Sequence, residues 1–172
     1  MIFPQGDETN FIKNNLGPAL ATANLSTKIW AYDWNWDNTN YPAAVLNDAT
    51  ANRYVDGIAW HCYAGGAAAM ATVQAAYPTK HQYETECSTG PTGIAGNAID
   101  VAMHSTQNEA STVELWNLAL APNGGPKMGT GCEGCTGLVT IDQATGNYTF
   151  TTNYNDPEKS DKHWGETTGQ VG

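Results

Sequence analysis

Short apolar runs and longer helix-like segments alternate along the first 126 residues. The apolar runs predict four strands: Lys28–Asp33, Gly57–Tyr63, Gln82–Cys87 and Ser111–Leu118. Helical spacing or Gly/Ala-rich composition predicts four helices: Asp7–Leu25, Pro42–Asn52, one ending at Tyr77, and Ile94–Ser105. Gly17 and Pro18 are expected to interrupt the first helix. Strands that alternate with helices at this spacing predict a parallel sheet.

The pattern changes after Pro126. A Gly- and Cys-containing loop leads into two alternating runs, Gly137–Asp142 and Asn147–Thr152, whose short polar connection predicts a β-hairpin. The polar segment 155–172 lacks periodicity, and we expect it to be disordered. We therefore divide the chain into a main domain at 1–126, the loop and hairpin at 127–154, and the tail at 155–172.

Four strand-led units amount to half of an eight-stranded (β/α) barrel, a fold that typically needs about 250 residues. The chain has 172 residues. The predicted fold class is therefore α/β: a partial TIM barrel, about the last four strands, followed by the hairpin. On this view the chain is a fragment of a longer domain.

The amino-acid composition argues against some classes of binding partner and favours others. A net charge of −10 with only seven basic residues argues against nucleic acid and anionic membranes. Six Trp and eight Tyr suit a carbohydrate site, because aromatic rings stack on sugar faces, although core packing explains part of them. No apolar stretch approaches the roughly 20 residues of a membrane span. The segment that begins at Met1 has no signal-peptide pattern.

The four cysteines fall into two pairs. Cys62 and Cys87 lie in apolar strand contexts and are predicted to be structural thiols. Cys132 and Cys135 lie in a Gly-rich loop, where we favour a small-loop disulfide. Zinc would need two further ligands near that pair, so no metal site is predicted.

Polar and aromatic side chains lie where the predicted strands end. They are Asp33 and Asn35, His61 and Tyr63, Glu86, and Trp116 with Asn117. In a (β/α) barrel the carboxyl ends of the strands form the active site, so these side chains are expected to converge. As alternatives, His61 and Tyr63 are bound only to neighbouring backbone, or Trp116 belongs to the core.

Two glutamates share the third strand. Glu84 and Glu86 are two residues apart, so regular alternation predicts that they face the same side, about 7 Å apart. Glu86 is nearer the carboxyl end and is the candidate nucleophile, whereas Glu84 is expected to be structural. A hydrogen bond from His61 or Tyr63 would keep Glu86 ionised.

Four segments together resemble one known family. They are Trp30–Asn38, Tyr54–Tyr63, Thr85–Ser88 and Trp116–Pro126. In order and spacing they are similar to glycoside hydrolase family 30, the glucosylceramidase family, over about residues 7 to 152. Trp34 stands where that family usually has histidine.

The resemblance implies a TIM barrel with a side β-domain and retaining hydrolysis of β-linked glycosides, with Glu86 as nucleophile. It implies substrates such as a β-glucoside, glucosylceramide or a β-glucan, in carbohydrate or sphingolipid metabolism. It also implies no cofactor and an extracellular location. The family's acid/base glutamate belongs to an Asn-Glu-Pro motif, which this sequence lacks. Retaining hydrolysis needs two carboxyl groups, so we expect the chain alone to be inactive.

Two alternatives stay open. The chain is either a non-catalytic, carbohydrate-binding half-barrel or a truncated inactive product. Open barrel edges would favour self-association in both cases. Saturable glucoside binding without turnover would distinguish the binding module from an enzyme.

Overall fold

The computed structural model describes residues 3–90, 97–126 and 134–154. The predicted tail 155–172 lies outside these residues. Contacts divide the chain into two compact units. Among the described residues, the first unit contains residues 3–87 and 103–114, and the second contains the rest.

The chain begins with a helical stretch that changes its winding midway. Helix α1 (Gln5–Phe11) continues through a π-helical segment, Ile12–Leu16, into helix α2 (Gly17–Thr22). Pro18 lacks an N–H and its ring crowds the carbonyl four residues earlier, which accounts for the wider turn before it. The predicted interruption is therefore a local change of winding, and the helix is not broken.

A four-stranded sheet forms the centre of the fold, in the order β1-β2-β3-β4. Its strands are β1 (Ile29–Asn35), β2 (Val55–His61), β3 (His81–Ser88) and β4 (Ala110–Trp116). The pairs β1–β2 and β2–β3 are parallel. Parallel strands joined through helices confirm the predicted partial barrel.

Helices connect successive strands of this sheet along the chain. They are α3 (Asn40–Asn47), α4 (Ala49–Tyr54), α5 (Ala68–Ala76) and α6 (Ala98–Gln107). The single helix predicted for Pro42–Asn52 is thus two helices. Asp48 leaves the helical conformation between them, and its carboxylate accepts the N–H groups of Thr50 and Ala51, both at 3.0 Å. An N-cap at Asp48 therefore starts α4 anew.

The core of the first unit packs helices against one side of the sheet. Fully buried side chains from β2, α3 and α5 meet there, including Ile58, Trp60, Val45 and Met70. Tyr32 of β1 packs edge-on against Trp60, with ring centroids 5.1 Å apart. This burial holds the strands in place and leaves their carboxyl ends to carry polar side chains.

The second unit contains the predicted hairpin. Strands β6 (Val139–Ile141) and β7 (Tyr148–Phe150) pair antiparallel, and the short β5 (Ala119–Leu120) pairs parallel to β6. The Asn153 side chain connects separate segments of this unit, because it donates to Thr89 Oγ1 at 2.6 Å and to the Thr136 carbonyl at 2.8 Å. The hairpin prediction is confirmed.

The prediction for Cys62 and Cys87 is wrong, because the two residues form a disulfide with their Cα atoms 5.2 Å apart. Cys62 directly follows β2 and Cys87 lies on β3, the neighbouring strand. Apolar surroundings predicted burial correctly but gave no information on which strands are adjacent. Cys135 is also disulfide-bonded, whereas Cys132 lies outside the described residues.

No helix within the described ranges is both long and apolar enough to cross a membrane.

Candidate active site

A cleft of about 330 Å³ lies in the first unit. Its lining comes from all four strands of the sheet and consists of Trp30, Asp33, Ala59, His61, Thr85, Glu86 and Glu114. Three predicted site residues, Asp33, His61 and Glu86, are therefore brought together. A larger cavity of about 500 Å³ beside β1 includes Asp33 and Trp34 but not Glu86.

Glu86 is held by a tyrosine on the neighbouring strand end. The Tyr63 hydroxyl donates to Glu86 Oε1 at 2.8 Å. The Tyr63 backbone N–H donates in turn to Asn35 Oδ1 at 3.2 Å. Asn35 is buried and thereby fixes the segment that presents Tyr63. The Tyr63 hydroxyl therefore fixes the orientation of the Glu86 carboxyl group at the mouth of the cleft.

Asp33 organises the other side of the cleft. His61 Nε2 lies 3.1 Å from Asp33 Oδ1, and the Thr85 hydroxyl donates to the same oxygen at 2.8 Å. The hydrogen bond from His61 is the largest effect that holds the Asp33 pKa below its usual range. Because a carboxylate only accepts hydrogen bonds, the His61 proton is on Nε2 in this contact.

Strand β3 contains a bulge at Thr85. Trp60 of β2 pairs with Glu84, but the next residue, His61, pairs with Glu86, so Thr85 is left without a ladder partner. Thr85 and Glu86 consequently both line the cleft. Glu84 is on the core side with Trp60, and both side chains are fully buried. The expectation that Glu84 and Glu86 share a face is wrong, because the bulge re-aims Glu86.

Glu84 is the most perturbed carboxyl group described. Its side chain is 0% exposed, and among the described residues neither carboxyl oxygen has a hydrogen-bond partner. Burial, with a smaller effect of the Glu86 charge, raises its pKa to about 9. The Trp36 indole N–H opposes this rise, although it falls short of hydrogen-bond geometry. Glu84 is therefore uncharged at neutral pH.

Glu84 also lies beside the disulfide, with one of its carboxyl oxygens and the two sulfur atoms all within 4.8 Å of one another. Such a cluster resembles a metal site in composition. However, Cys62 and Cys87 are bonded to each other and supply no thiolate. The cluster is therefore a buried structural contact in the oxidised protein.

Two predicted residues, Trp116 and Asn117, belong to the second unit. Trp116 ends β4 and its side chain is 48% exposed, so it is not the core residue that we considered as an alternative. Asn117 Oδ1 is buried, and no described residue donates a hydrogen bond to it.

Sequence reasoning missed four residues that line the cleft: Trp30, Ala59, Thr85 and Glu114. Trp30 stacks on Tyr83 with ring centroids 4.0 Å apart and forms an aromatic wall. Glu114 lies two residues before Trp116 on β4. Residues two apart on a strand face the same side, so the predicted position of Trp116 could have indicated Glu114. Thr85 was missed because regular alternation places it on the face opposite Glu86, whereas the bulge lets both residues line the cleft.

The sequence model of the glycosyl hydrolase family 30 TIM-barrel domain matches residues 1–148. The chain belongs to this family. The family 30 match covers all four strands of the sheet as well as β5 and β6, which agrees with the partial barrel.

Curated relatives and a solved structure extend this result. The chain is 43% identical over 151 residues to the endo-1,6-beta-D-glucanase of Aspergillus fumigatus, covering 86% of this chain and 30% of that protein. It is 44% identical over 153 residues to the endo-1,6-beta-D-glucanase of Neurospora crassa, covering 84% and 31%. A solved endo-beta1,6-glucanase superposes with a TM-score of 0.79 at 31% identity, covering 88% of this chain and 37% of that one. The family 30 chain thus spans about a third of the length of these relatives.

Proposed function

We propose that this chain is the nucleophile-bearing portion of a retaining endo-β-1,6-glucanase, and that Glu86 is the nucleophile. The observation that carries the proposal is the position of Glu86. It lies at the carboxyl end of β3, lines the cleft and accepts the Tyr63 hydroxyl at 2.8 Å. A half-buried carboxylate with one oxygen held by a donor is oriented for attack.

In this mechanism the free Glu86 oxygen attacks the anomeric carbon as the bond from that carbon to the leaving oxygen breaks. A second carboxyl group gives the leaving oxygen its proton, and water later hydrolyses the glycosyl ester. We propose that this second group lies outside the present chain, in line with the missing Asn-Glu-Pro motif. The aromatic pair Trp30 and Tyr83, together with Asp33, would orient the sugar in the cleft.

A β-1,6-glucan is favoured over glucosylceramide as the substrate. Three curated endo-1,6-beta-glucanases match 84 to 88% of this chain. A putative glucosylceramidase of Caenorhabditis elegans matches only 37% of it. We also propose an extracellular location, supported by the buried Cys62–Cys87 disulfide, since disulfides persist in oxidising compartments.

A suitable test is covalent labelling with a 2-deoxy-2-fluoro-β-glucoside that carries a dinitrophenolate leaving group. This leaving group departs without protonation, so the probe does not need the second carboxyl group. We expect a mass increase of one fluoroglucosyl group, located on the peptide that contains Glu86.

Two matched variants control the labelling. Glu86→Gln removes the nucleophile with little change in volume and should abolish the label. Glu109→Gln makes the same chemical change at an exposed position before β4 and should leave the label intact. Labelling of another residue, or labelling that persists in Glu86→Gln, would remove Glu86 from the mechanism.

A binding module is the second candidate, and the edge position of strand β1 favours it. Strand β1 is at one edge of the four-stranded sheet, and such an edge can pair with another chain. In this case gentiobiose would bind saturably without label or turnover. Self-association would appear as a concentration-dependent mass in sedimentation.

A further inference from the structure

Glu84 is a buried carboxyl group that the proposed mechanism does not use. Three strand ends surround it. Trp36 follows β1, Cys62 follows β2, and Cys87 is on β3 itself. The Trp36 backbone N–H donates to the His61 carbonyl at 3.2 Å, and the Cys62 N–H donates to the Glu86 carbonyl at 3.3 Å. The Glu84 side chain therefore fills the space directly behind the bulge that presents Glu86.

The chemistry of this position is unusual. A carboxylate removed from water without a donor is costly, so such a group normally takes up a proton. Glu84 has no described donor to either oxygen. The titratable group acting on it is Glu86, from its own strand. Of its other neighbours, the disulfide does not titrate and Trp36 carries no charge.

We propose that Glu84 is a positioning residue for Glu86: its fully buried side chain supports the β3 bulge from behind, and the bulge directs Glu86 into the cleft. The role of Glu86 rests on the proposed function. The electrostatic coupling of the two carboxyl groups does not, and it can be measured without turnover.

The coupling can be read by titrating glutamate carboxyl carbons by NMR in the 13C-labelled protein. We expect one resonance that stays in its protonated position through neutral pH and is absent in Glu84→Gln. In Glu86→Gln its midpoint should fall, because the Glu86 charge is one of the effects that raise it. Glu109→Gln should leave it unchanged.

Positioning is tested by the rate at which the fluoroglucoside labels Glu86. Glu84→Ala removes the support behind the bulge, and we expect labelling to slow on the order of tenfold to a hundredfold. Glu84→Gln restores the volume of the uncharged acid and should bring the rate back to within about twofold of the unmodified protein. Circular dichroism verifies that each variant is folded.

Several results would overturn the inference. In one, every glutamate carboxyl group titrates in the ordinary acidic range. In another, the high midpoint does not respond to Glu86→Gln. A Glu84→Gln rate as slow as that of Glu84→Ala would also contradict it. If Glu86 is not labelled at all but the coupling persists, the nucleophile proposal fails and the uncharged state of Glu84 stands. If Glu84→Ala does not fold, the Glu86→Gln titration still decides the coupling.

Discussion

Glu84 should make the protein less stable at neutral pH than in mild acid. Its pKa is raised from 4.5 to about 9 in the folded protein. Between these values the unfolded chain has released the proton and the folded chain still holds it, so the free energy of unfolding falls as pH rises. Below 4.5 both states are protonated and the full stability is present. Replacement by Gln, which cannot titrate, removes this dependence.

The size of the effect follows from the interval between the unfolded pKa of 4.5 and pH 7, which is 2.5 units. Each unit corresponds to about 1.36 kcal/mol. Ionisation of the unfolded chain therefore removes about 3 kcal/mol of stability at pH 7. Because the side chain is fully buried, solvent screening reduces this value little. It is a substantial part of the roughly 5–15 kcal/mol that stabilises a typical domain.

The assay is urea unfolding between pH 4.5 and 8, followed by circular dichroism, for the unmodified protein, Glu84→Gln and Glu109→Gln. The difference in unfolding free energy between the unmodified protein and Glu84→Gln should change with pH by about 1.4 kcal/mol per unit. Glu109→Gln makes the same change at an exposed site and supplies the baseline. Parallel pH profiles for the unmodified protein and Glu84→Gln would refute the reasoning.

Two further predictions concern the same strand ends. Tyr63→Phe deletes the hydroxyl that donates to Glu86. Because a hydrogen bond to a charged group contributes about 1.5–3 kcal/mol, fluoroglucoside labelling should slow by at least about tenfold. An unchanged rate would show that this bond does not orient the carboxylate. The Cys62–Cys87 disulfide links residues 25 positions apart in the sequence. A variant with Ala at both positions should have a free energy of unfolding lower by about 3–4 kcal/mol, because the disulfide restricts the unfolded chain. Equal urea midpoints for this variant and the unmodified protein would contradict this.

The strands and the hairpin could be predicted from the sequence because their signals are local. Alternation, apolar runs and turn residues determine which segments are extended, and β1, β2, β3 and the β6–β7 hairpin all lie within the predicted ranges or close to them. The polar residues at the strand ends could be placed for a similar reason. Parallel strands collect their carboxyl ends at one edge of a sheet, so Asp33, His61 and Glu86 meet.

Features that depend on pairing between strands could not be predicted. The bulge at Thr85 appears only in the register with β2, and it reversed the expected relation between Glu84 and Glu86. The Cys62–Cys87 bond likewise requires that β2 and β3 be neighbours. The break at Asp48 was readable as an N-cap, but helix-favouring residues on both sides concealed it.

The extra residue in β3 has a consequence for how this cleft acquires functional groups. Since Thr85 has no partner in the ladder, its deletion would restore regular alternation: Glu84 would stay on the core side and Glu86 would still face the cleft. What would be lost is the hydroxyl that holds Asp33. A single inserted residue thus adds a hydrogen-bond donor to the site, while Glu84 and Glu86 keep their faces of the sheet. Insertions into a strand, as well as substitutions, can therefore change the functional groups of such a site.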